Sequence, residues 1–254
     1  MENSNIEDVK TFWNNRPCNI KHSDKQINTI DYFVEVSNKR YIVEPHILNF
    51  ANFGNYKNAK VLEVGCGIGT DAQKFAEHGA LYHGIDLTES SIEISRKRFE
   101  LFNLQGNFEI QNIENYISNE KYDLIYSFGV LHHTPDIKKA IDNIYNMLKE
   151  NGEFKLMLYA KNSLKYFKIK DGLDQYEAQS NVPIANVYDN EEVYKLLEQF
   201  RDIDIIQTHI FPYKIDEYKR GKLIKEKYFD VMPDDLFNCI KKNLGWHLCI
   251  TCRK

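Results

Sequence analysis

The sequence predicts an α/β fold, a mostly parallel sheet with helices on both faces. Three observations predict it. Short β-rich runs alternate with stretches of helical period through the centre of the chain, as strands joined by crossover helices do. The first of those runs opens into a loop with glycines at alternate positions, directly before a helix. A last β-rich run, Trp246–Thr251 (WHLCIT), closes the chain and reads as an antiparallel strand.

In order, the first strand is Lys60–Val64 and its helix is Thr70–Glu77. The second strand is Leu81–Asp86 with helix Ser90–Phe102, and the third is Asn107–Gln111. The fourth, Tyr122–Phe128 (YDLIYSF), leads to a helix over Asp136–Lys149, which Asn151-Gly152 is expected to end through a left-handed glycine. The fifth strand is Glu153–Tyr159. Residues 161–188 show no clear period and contain Gly172 and Pro183. A helix returns at Asn190–Gln199, capped by Asp189 or Asn190. The sixth strand is Ile203–Thr208, and Phe211–Leu244 reads as irregular. Counting the last strand, the sheet has seven.

A chain of 254 residues suffices for one domain with a sizeable core. Residues 1–50, 161–188 and 211–244 stand outside the expected sheet. Ligands of open α/β sheets bind at the carboxyl ends of the strands. These segments are therefore natural material for a lid (1–50) and for substrate-cap insertions (161–188 and 211–244) within a single 1–254 domain.

The formal net charge of −4 gives no surface built for a polyanion, so no nucleic-acid partner is expected. The basic stretch Lys219–Lys227 (KRGKLIKEK) is flanked by Asp216, Glu217 and Asp230 and reads as a solvated helix face. Five scattered cysteines, an odd number, make no disulfide framework and suit a reducing interior. The first residues (MENSNIEDVK) lack a signal-peptide pattern, and no apolar run reaches the roughly 20 residues of a spanning helix. The expectation is a cytoplasmic protein without a membrane partner.

The most informative stretch is Val61–Asp71 (VLEVGCGIGTD). Its spacing is G-x-G-x-G over Gly65, Gly67 and Gly69, with Glu63 before it. A dinucleotide fingerprint needs G-x-G-x-x-G, and here that third position is Thr70. A carboxylate at the loop's mouth is awkward beside a pyrophosphate but reasonable near a cationic amino-acid ligand. Asp86, at the end of the second strand, is placed to accept hydrogen bonds from both hydroxyls of a ribose. Together these features argue for an adenosine ligand with no phosphate, and they disfavour an NAD-dependent oxidoreductase.

The stretch resembles motif I of the class I S-adenosylmethionine-dependent methyltransferases, and Asp86 resembles their ribose-binding acid. Gln111-Asn112-Ile113-Glu114, Tyr122–His133 (YDLIYSFGVLHH) and Asn151–Tyr159 (NGEFKLMLY) are similar to later motifs in the same order. The likeness covers about residues 59–160. One departure stands out: the acid commonly found after the third strand is Asn112, which leaves the adenine contact open between Asn112 and Glu114. The resemblance implies a Rossmann-like methyltransferase fold and S-adenosylmethionine as cofactor. Gly65, Cys66, Gly67, Gly69 and Thr70 would form the cofactor loop. Glu63 or Asp71 would face the ammonium group, Asp86 would hold the ribose, and Leu87 and Ile113 would sandwich the adenine. Phe128 and Gly129 would pass close to the sulfonium. Arg40, in the segment before motif I, would pair with the cofactor carboxylate.

Methyl transfer from a sulfonium needs mainly in-line alignment, plus a base where the acceptor must lose a proton. His132 and His133 follow the fourth strand, and either could serve as that base, with His132 the first choice. Trp13 and Tyr32 belong to an aromatic and polar N-terminal segment that would close over the cofactor, and both are candidates to contact the substrate. Tyr176, Glu177, Gln179, His209 and Tyr213 are candidates for the acceptor pocket, which would suit a polar small molecule. Cys249-x-x-Cys252 lies on a strand, where i and i+3 face opposite ways, and no second pair or histidine cluster has zinc spacing; no metal is expected. The leading reading is methyl transfer to an oxygen or nitrogen of a small molecule. The other readings are a methyltransferase for RNA or protein, an NAD-dependent enzyme, and a non-catalytic partner that keeps the fold.

Overall fold

The computed structural model describes residues 5–173 and 181–254. An N-terminal helical region comes first: α1 (Ile6–Asn15), a short 3-10 turn (Ile20–His22), α2 (Ile30–Val43), α3 (His46–Ala51) and a second 3-10 turn (Phe53–Tyr56). The alternating core follows: β1 (Lys60–Val64), α4 (Thr70–Glu77), β2 (Leu81–Asp86), α5 (Glu89–Leu101), β3 (Asn107–Ile110), β4 (Tyr122–Phe128), a 3-10 turn (Leu131–His133), α6 (Ile137–Met147) and β5 (Leu148–Ala160). Then come α7 (Leu164–Lys170), β6 (Val187–Tyr188), α8 (Asn190–Leu196), β7 (Arg201–Thr208), α9 (Ile215–Lys219), α10 (Lys227–Asp230), α11 (Asp234–Leu244) and β8 (His247–Arg253).

The sheet runs β3-β2-β1-β4-β5-β8-β7, with β6 pairing beside β5. β8 is antiparallel to both its neighbours, and the other pairs are parallel. The expected α/β class and antiparallel last strand are observed. The strand count is eight rather than seven, because the two-residue β6 extends the sheet at Tyr159 and Ala160.

Period-two alternation divides the core. Leu62 and Val64 of β1 face one layer, packed with Ala140, Ile141 and Ile144 of α6 and Val193 of α8. Val61, from the same strand, faces the other layer with Ala72 and Phe75 of α4 and Ile92 and Phe99 of α5. A third cluster joins α2 to this side, with Tyr32, Phe33 and Val36 against Ile68 and Ile94.

Four expectations need correction. The helix before β5 stops at Met147, because Leu148 already pairs with Tyr122 in the sheet. The left-handed residue there is Asn151 (φ 64°), not Gly152, which is glycine for another reason: a Cβ would lie 2.8 Å from the Lys149 carbonyl oxygen. Residues 161–188 contain α7, and the stretch read as irregular, 211–244, contains three helices. The longest, α11, starts after Pro233 with Asp234 and Asp235 in its first turn, a legible start signal. The basic stretch is not a helix face: α9 ends at Lys219, and Arg220 and Lys222 pair with Glu217 around the following turn. Among the described residues no helix is long and apolar enough to cross a membrane.

Candidate active site

β1 lies between β2 and β4, so chain connections leave it in opposite directions on its two sides. This is the switch point where the carboxyl ends of a parallel sheet open a crevice. The glycine loop lies there and lines a cleft with about 1500 Å³ of empty space, its mouth included.

The three glycines of that loop are glycine for three different reasons. At Gly65 (φ 76°) a Cβ would lie 2.3 Å from a methyl of Val130, so the segment after β4 demands it. At Gly69 (φ 77°) a Cβ would meet Ser95 at 2.9 Å, so helix packing demands it, and Gly69 does not line the cleft. At Gly67 (φ 53°) a Cβ would meet nothing within 4 Å. That position lies open to the cleft, as a ligand lying against backbone requires.

Asp86 reaches the loop from β2. Its Oδ2 accepts from the Gly67 N–H (2.9 Å), and its Oδ1 accepts from the Thr88 N–H (2.9 Å) and hydroxyl (2.8 Å). Burial raises its carboxyl, and these bonds oppose the rise. The carboxylate is thus aimed before any ligand arrives. Glu63 also lines the cleft. Burial pushes its carboxyl well up, nearby Asp71 adds to this, and the Tyr82 hydroxyl donates to it at 2.6 Å. An arriving ammonium group would reverse the penalty and restore the charge.

Arg40 and Asp71 line the cleft but are committed to each other. Arg40 donates through Nε (3.1 Å) and one terminal nitrogen (2.9 Å) to the two Asp71 oxygens, and its other terminal nitrogen lies 3.5 Å from Glu44. Tyr41 and Tyr126 hydroxyls each add a 3.0 Å bond to Asp71. Arg40 thus fastens α2 to the start of α4 while still lining the cleft. On the adenine side, Asn112 and Ile113 line the cleft with Leu87. Glu114 does not; its Oε1 accepts from the Asp136 N–H at 2.7 Å. The geometry favours Asn112 of the two.

Phe128 and Gly129 line the middle of the cleft, followed by His133. His133 donates from Nδ1 to the Ile184 carbonyl, which leaves the lone pair on Nε2. Burial holds its pKa down to about 4, so the ring is neutral near pH 7. His132 was the first choice, and the structure overturns that order. It is fully buried, its ring centroid lies 3.7 Å from that of Tyr159, and it does not line the cleft.

Trp13 lines the cleft with its ring 5.2 Å from His133. Tyr32 does not: it is a core residue whose hydroxyl donates to the Ile20 carbonyl at 2.8 Å. His209 lines both this cleft and a neighbouring cavity with about 1330 Å³ of empty space, its mouth included, which Tyr213 lines as well. Tyr176, Glu177 and Gln179 lie outside the described residues. Sequence reasoning missed Tyr159, Lys165, Trp246 and His247, all of which line the cleft. No local motif marks them, since they converge only through the pairing of β5 with β8 and the packing of α7.

A family model described as a methyltransferase domain matches residues 62–154, the stretch that supplies the glycine loop, Asp86 and the β4 motif. Over that stretch, a little more than a third of the chain, the sequence is similar to a methyltransferase domain, the family that its motifs resemble. Among sequence relatives, the ubiquinone biosynthesis O-methyltransferase of Coxiella burnetii is 32% identical over 111 residues, 43% of this chain and 47% of that one. The same enzyme of Actinobacillus pleuropneumoniae is 35% identical over 99 residues, 37% of this chain and 42% of that one. The chain thus spans about half the length of the curated relatives it matches. Among solved structures, the fold is similar to magnesium protoporphyrin IX methyltransferase from Synechocystis with bound S-adenosylhomocysteine (TM-score 0.63, 18% identity, 98% of this chain and 100% of that one). It is also similar to the Haemonchus contortus phosphoethanolamine N-methyltransferase 2 (TM-score 0.60, 18% identity, 89% and 58%).

The residues that line the cleft fit S-adenosylmethionine. A preset carboxylate at Asp86 suits ribose hydroxyls, and the open face of Gly67 suits close approach to backbone. The buried Thr70 hydroxyl has no partner among the described residues and belongs to the lining, which offers a polar atom to the amino-acid end. The acids Glu63 and Asp86, which have no cationic partner among the contacts given above, suit a cation and oppose a pyrophosphate.

Proposed function

We propose that this chain transfers the methyl group of S-adenosylmethionine to an oxygen or nitrogen of a polar small molecule, by in-line displacement, in the cytoplasm. One observation carries the reading. A single cleft runs from Asp86 and the glycine loop, past Phe128 and Gly129, to His133, Tyr159, His209 and His247. Donor and acceptor groups therefore have a common space with a neutral imidazole at its far end.

S-adenosylmethionine, when bound, supplies a methyl group already activated on a cationic sulfur. The chain's part is to bind, align and dehydrate. Asp86 holds the ribose, Gly67 admits the amino-acid end to the backbone, and Asn112 meets the adenine edge. His133 takes the acceptor's proton on Nε2 where one must leave, with Nδ1 held by Ile184. The N-terminal region acts as a lid. Ser90 binds Asn14 through its N–H (3.1 Å) and hydroxyl (2.9 Å), and Lys10 lies 3.6 Å from Glu89, which places Trp13 over the cleft. The segments at α7 and α9–α11 form the cap around the acceptor end. The relatives' names favour oxygen as the acceptor atom. The net charge of −4 favours a small molecule over RNA. All five cysteines are free, which suits a reducing compartment.

The test is calorimetric titration with S-adenosylhomocysteine, followed by transfer of labelled methyl from S-adenosylmethionine into fractionated cell extract. Label in the low-molecular-mass fraction is expected. Label only in RNA or protein would overturn the acceptor class, and stabilisation by NADH with none by S-adenosylhomocysteine would overturn the cofactor.

A further inference from the structure

His46, His209 and His247 come from three separate parts of the fold: the start of α3, the residue after β7 and the start of β8. Their ligand-capable nitrogens all lie within 4.8 Å of one another. His46 Nε2 and His247 Nδ1 are 3.0 Å apart, and the rings of His209 and His247 stack at 4.4 Å. His209 and His247 are buried and line the cleft, and the ring of Phe128 lies 5.5 Å from that of His247.

A hydrogen-bonded aromatic stack would explain part of this arrangement. Two further observations point past it. His209 has φ 73°, in the left-handed region that a non-glycine residue adopts only when its surroundings impose it. That backbone directs the third imidazole toward the other two. Moreover, His247 turns its Nε2 toward Glu44 at 3.8 Å while its Nδ1 faces His46. A carboxylate behind one ring nitrogen, with the other facing the cluster, is the outer-shell arrangement that orients a metal-bound histidine. Arg40, Lys165 and Lys241 are the cations near enough to oppose an ion, and Glu44 and Asp71 offset them.

We propose that His46, His209 and His247 bind one divalent transition-metal ion of the Zn²⁺ class at the acceptor end of the cleft, with a coordination position open to an oxygen of the acceptor. Three protein ligands with the fourth place left open is the pattern of a reactive zinc site, and three imidazoles suit Zn²⁺, Co²⁺, Ni²⁺ or Fe²⁺. Tetrahedral zinc needs ligand nitrogens about 3.3 Å apart, so the His46–His247 pair must part by only a few tenths of an ångström. An acceptor hydroxyl held there would ionise more readily, and His133 would take its proton. Ion binding is independent of the methyl-transfer reading; only the use of the open position rests on it.

The whole chain, stripped with EDTA and dialysed, is titrated with Co²⁺ under visible spectroscopy and with Zn²⁺ in a calorimeter at pH 7.5. The expected result is one equivalent bound, a cobalt d–d spectrum that one equivalent of Zn²⁺ abolishes, and a melting temperature raised by several degrees. His209→Asn and His46→Gln should each weaken Zn²⁺ at least 100-fold while keeping the melting temperature of the stripped wild type within a few degrees. If His209→Asn does not fold, the half-buried His46→Gln decides. Two results overturn the proposal: a folded wild type that binds S-adenosylhomocysteine but no Co²⁺ or Zn²⁺, or metal bound with unchanged affinity in the variant that folds. Methyl transfer that persists in EDTA would overturn the use of the ion and leave its binding to the titration.

Discussion

Asp86→Asn tests the cofactor site at the position where the structure specifies the outcome most narrowly. The two carboxylate oxygens receive only donors from the protein: the Gly67 N–H on one side, the Thr88 N–H and hydroxyl on the other. An amide has one oxygen and one NH₂ group. Whichever way Asn is turned, its NH₂ meets a backbone N–H, so one hydrogen bond is lost and two donors face each other. Within the fold this costs about 1–3 kcal/mol, the range for a buried donor left unpaired. In the complex, the ribose hydroxyls lose a charged acceptor, another 1.5–3 kcal/mol or so, which is roughly a 10–150-fold rise in Kd. Calorimetry with S-adenosylhomocysteine measures the second effect and urea denaturation the first. A Kd within threefold of wild type would show that Asp86 orders the loop and does not hold the ribose.

Other predictions follow the same geometry. His133→Ala should lower turnover about 100-fold or more, the usual worth of a positioned base, with S-adenosylhomocysteine affinity kept. His132→Phe should keep turnover, since His132 packs on Tyr159 outside the cleft; equal losses in the two variants would refute the assignment. Gly65→Ala should destabilise the fold by about 1–3 kcal/mol through its clash with Val130, whereas Gly67→Ala should fold and chiefly weaken cofactor binding; thermal melts and calorimetry separate them. Stability should fall on acidification. His46 and His133 are held down to about 3 and about 4, so between pH 7.5 and 5 the unfolded chain gains protons that the folded chain refuses. Each costs about 2 kcal/mol at pH 5, and His132, His209 and His247 act in the same direction. A urea midpoint that does not drop between pH 7.5 and 5 in EDTA contradicts this.

The legible parts of the molecule share one property: their determinants are close in sequence. β1, α4, β2 and β4 lie where alternation and glycine punctuation place them, and Asp86 follows from its position at a strand end. The choice between His132 and His133 was not legible. Adjacent residues on a 3-10 turn point about 120° apart, and nothing local says which direction is the cleft. The pairing of Arg40 with Asp71 was not legible for a similar reason, because Asp71 lies 31 residues away on another helix. The histidine cluster is the extreme case. His209 and His247 are brought near each other because Thr208 and His247 are paired in the β7–β8 ladder, and His46 joins only through the packing of α3.

The same division governs how specificity should be distributed if the chain acts as proposed. Residues 62–154, where the family model matches, hold the glycine loop, Asp86, Asn112 and His133. Trp13, Tyr159, Lys165, His209, Trp246 and His247 line the same cleft, at the end proposed for the acceptor, and all lie outside that stretch. A cofactor shared across a family needs one geometry, which a short contiguous motif can carry. An acceptor peculiar to one enzyme needs side chains from whatever elements surround the sulfonium, and those are assembled by tertiary packing. It follows that exchanging residues of the second group should change which molecule is methylated while leaving S-adenosylhomocysteine affinity nearly constant. Exchanges in the glycine loop, at Asp86 or at Asn112 should move affinity and turnover for every acceptor together, whereas His133 should move turnover alone.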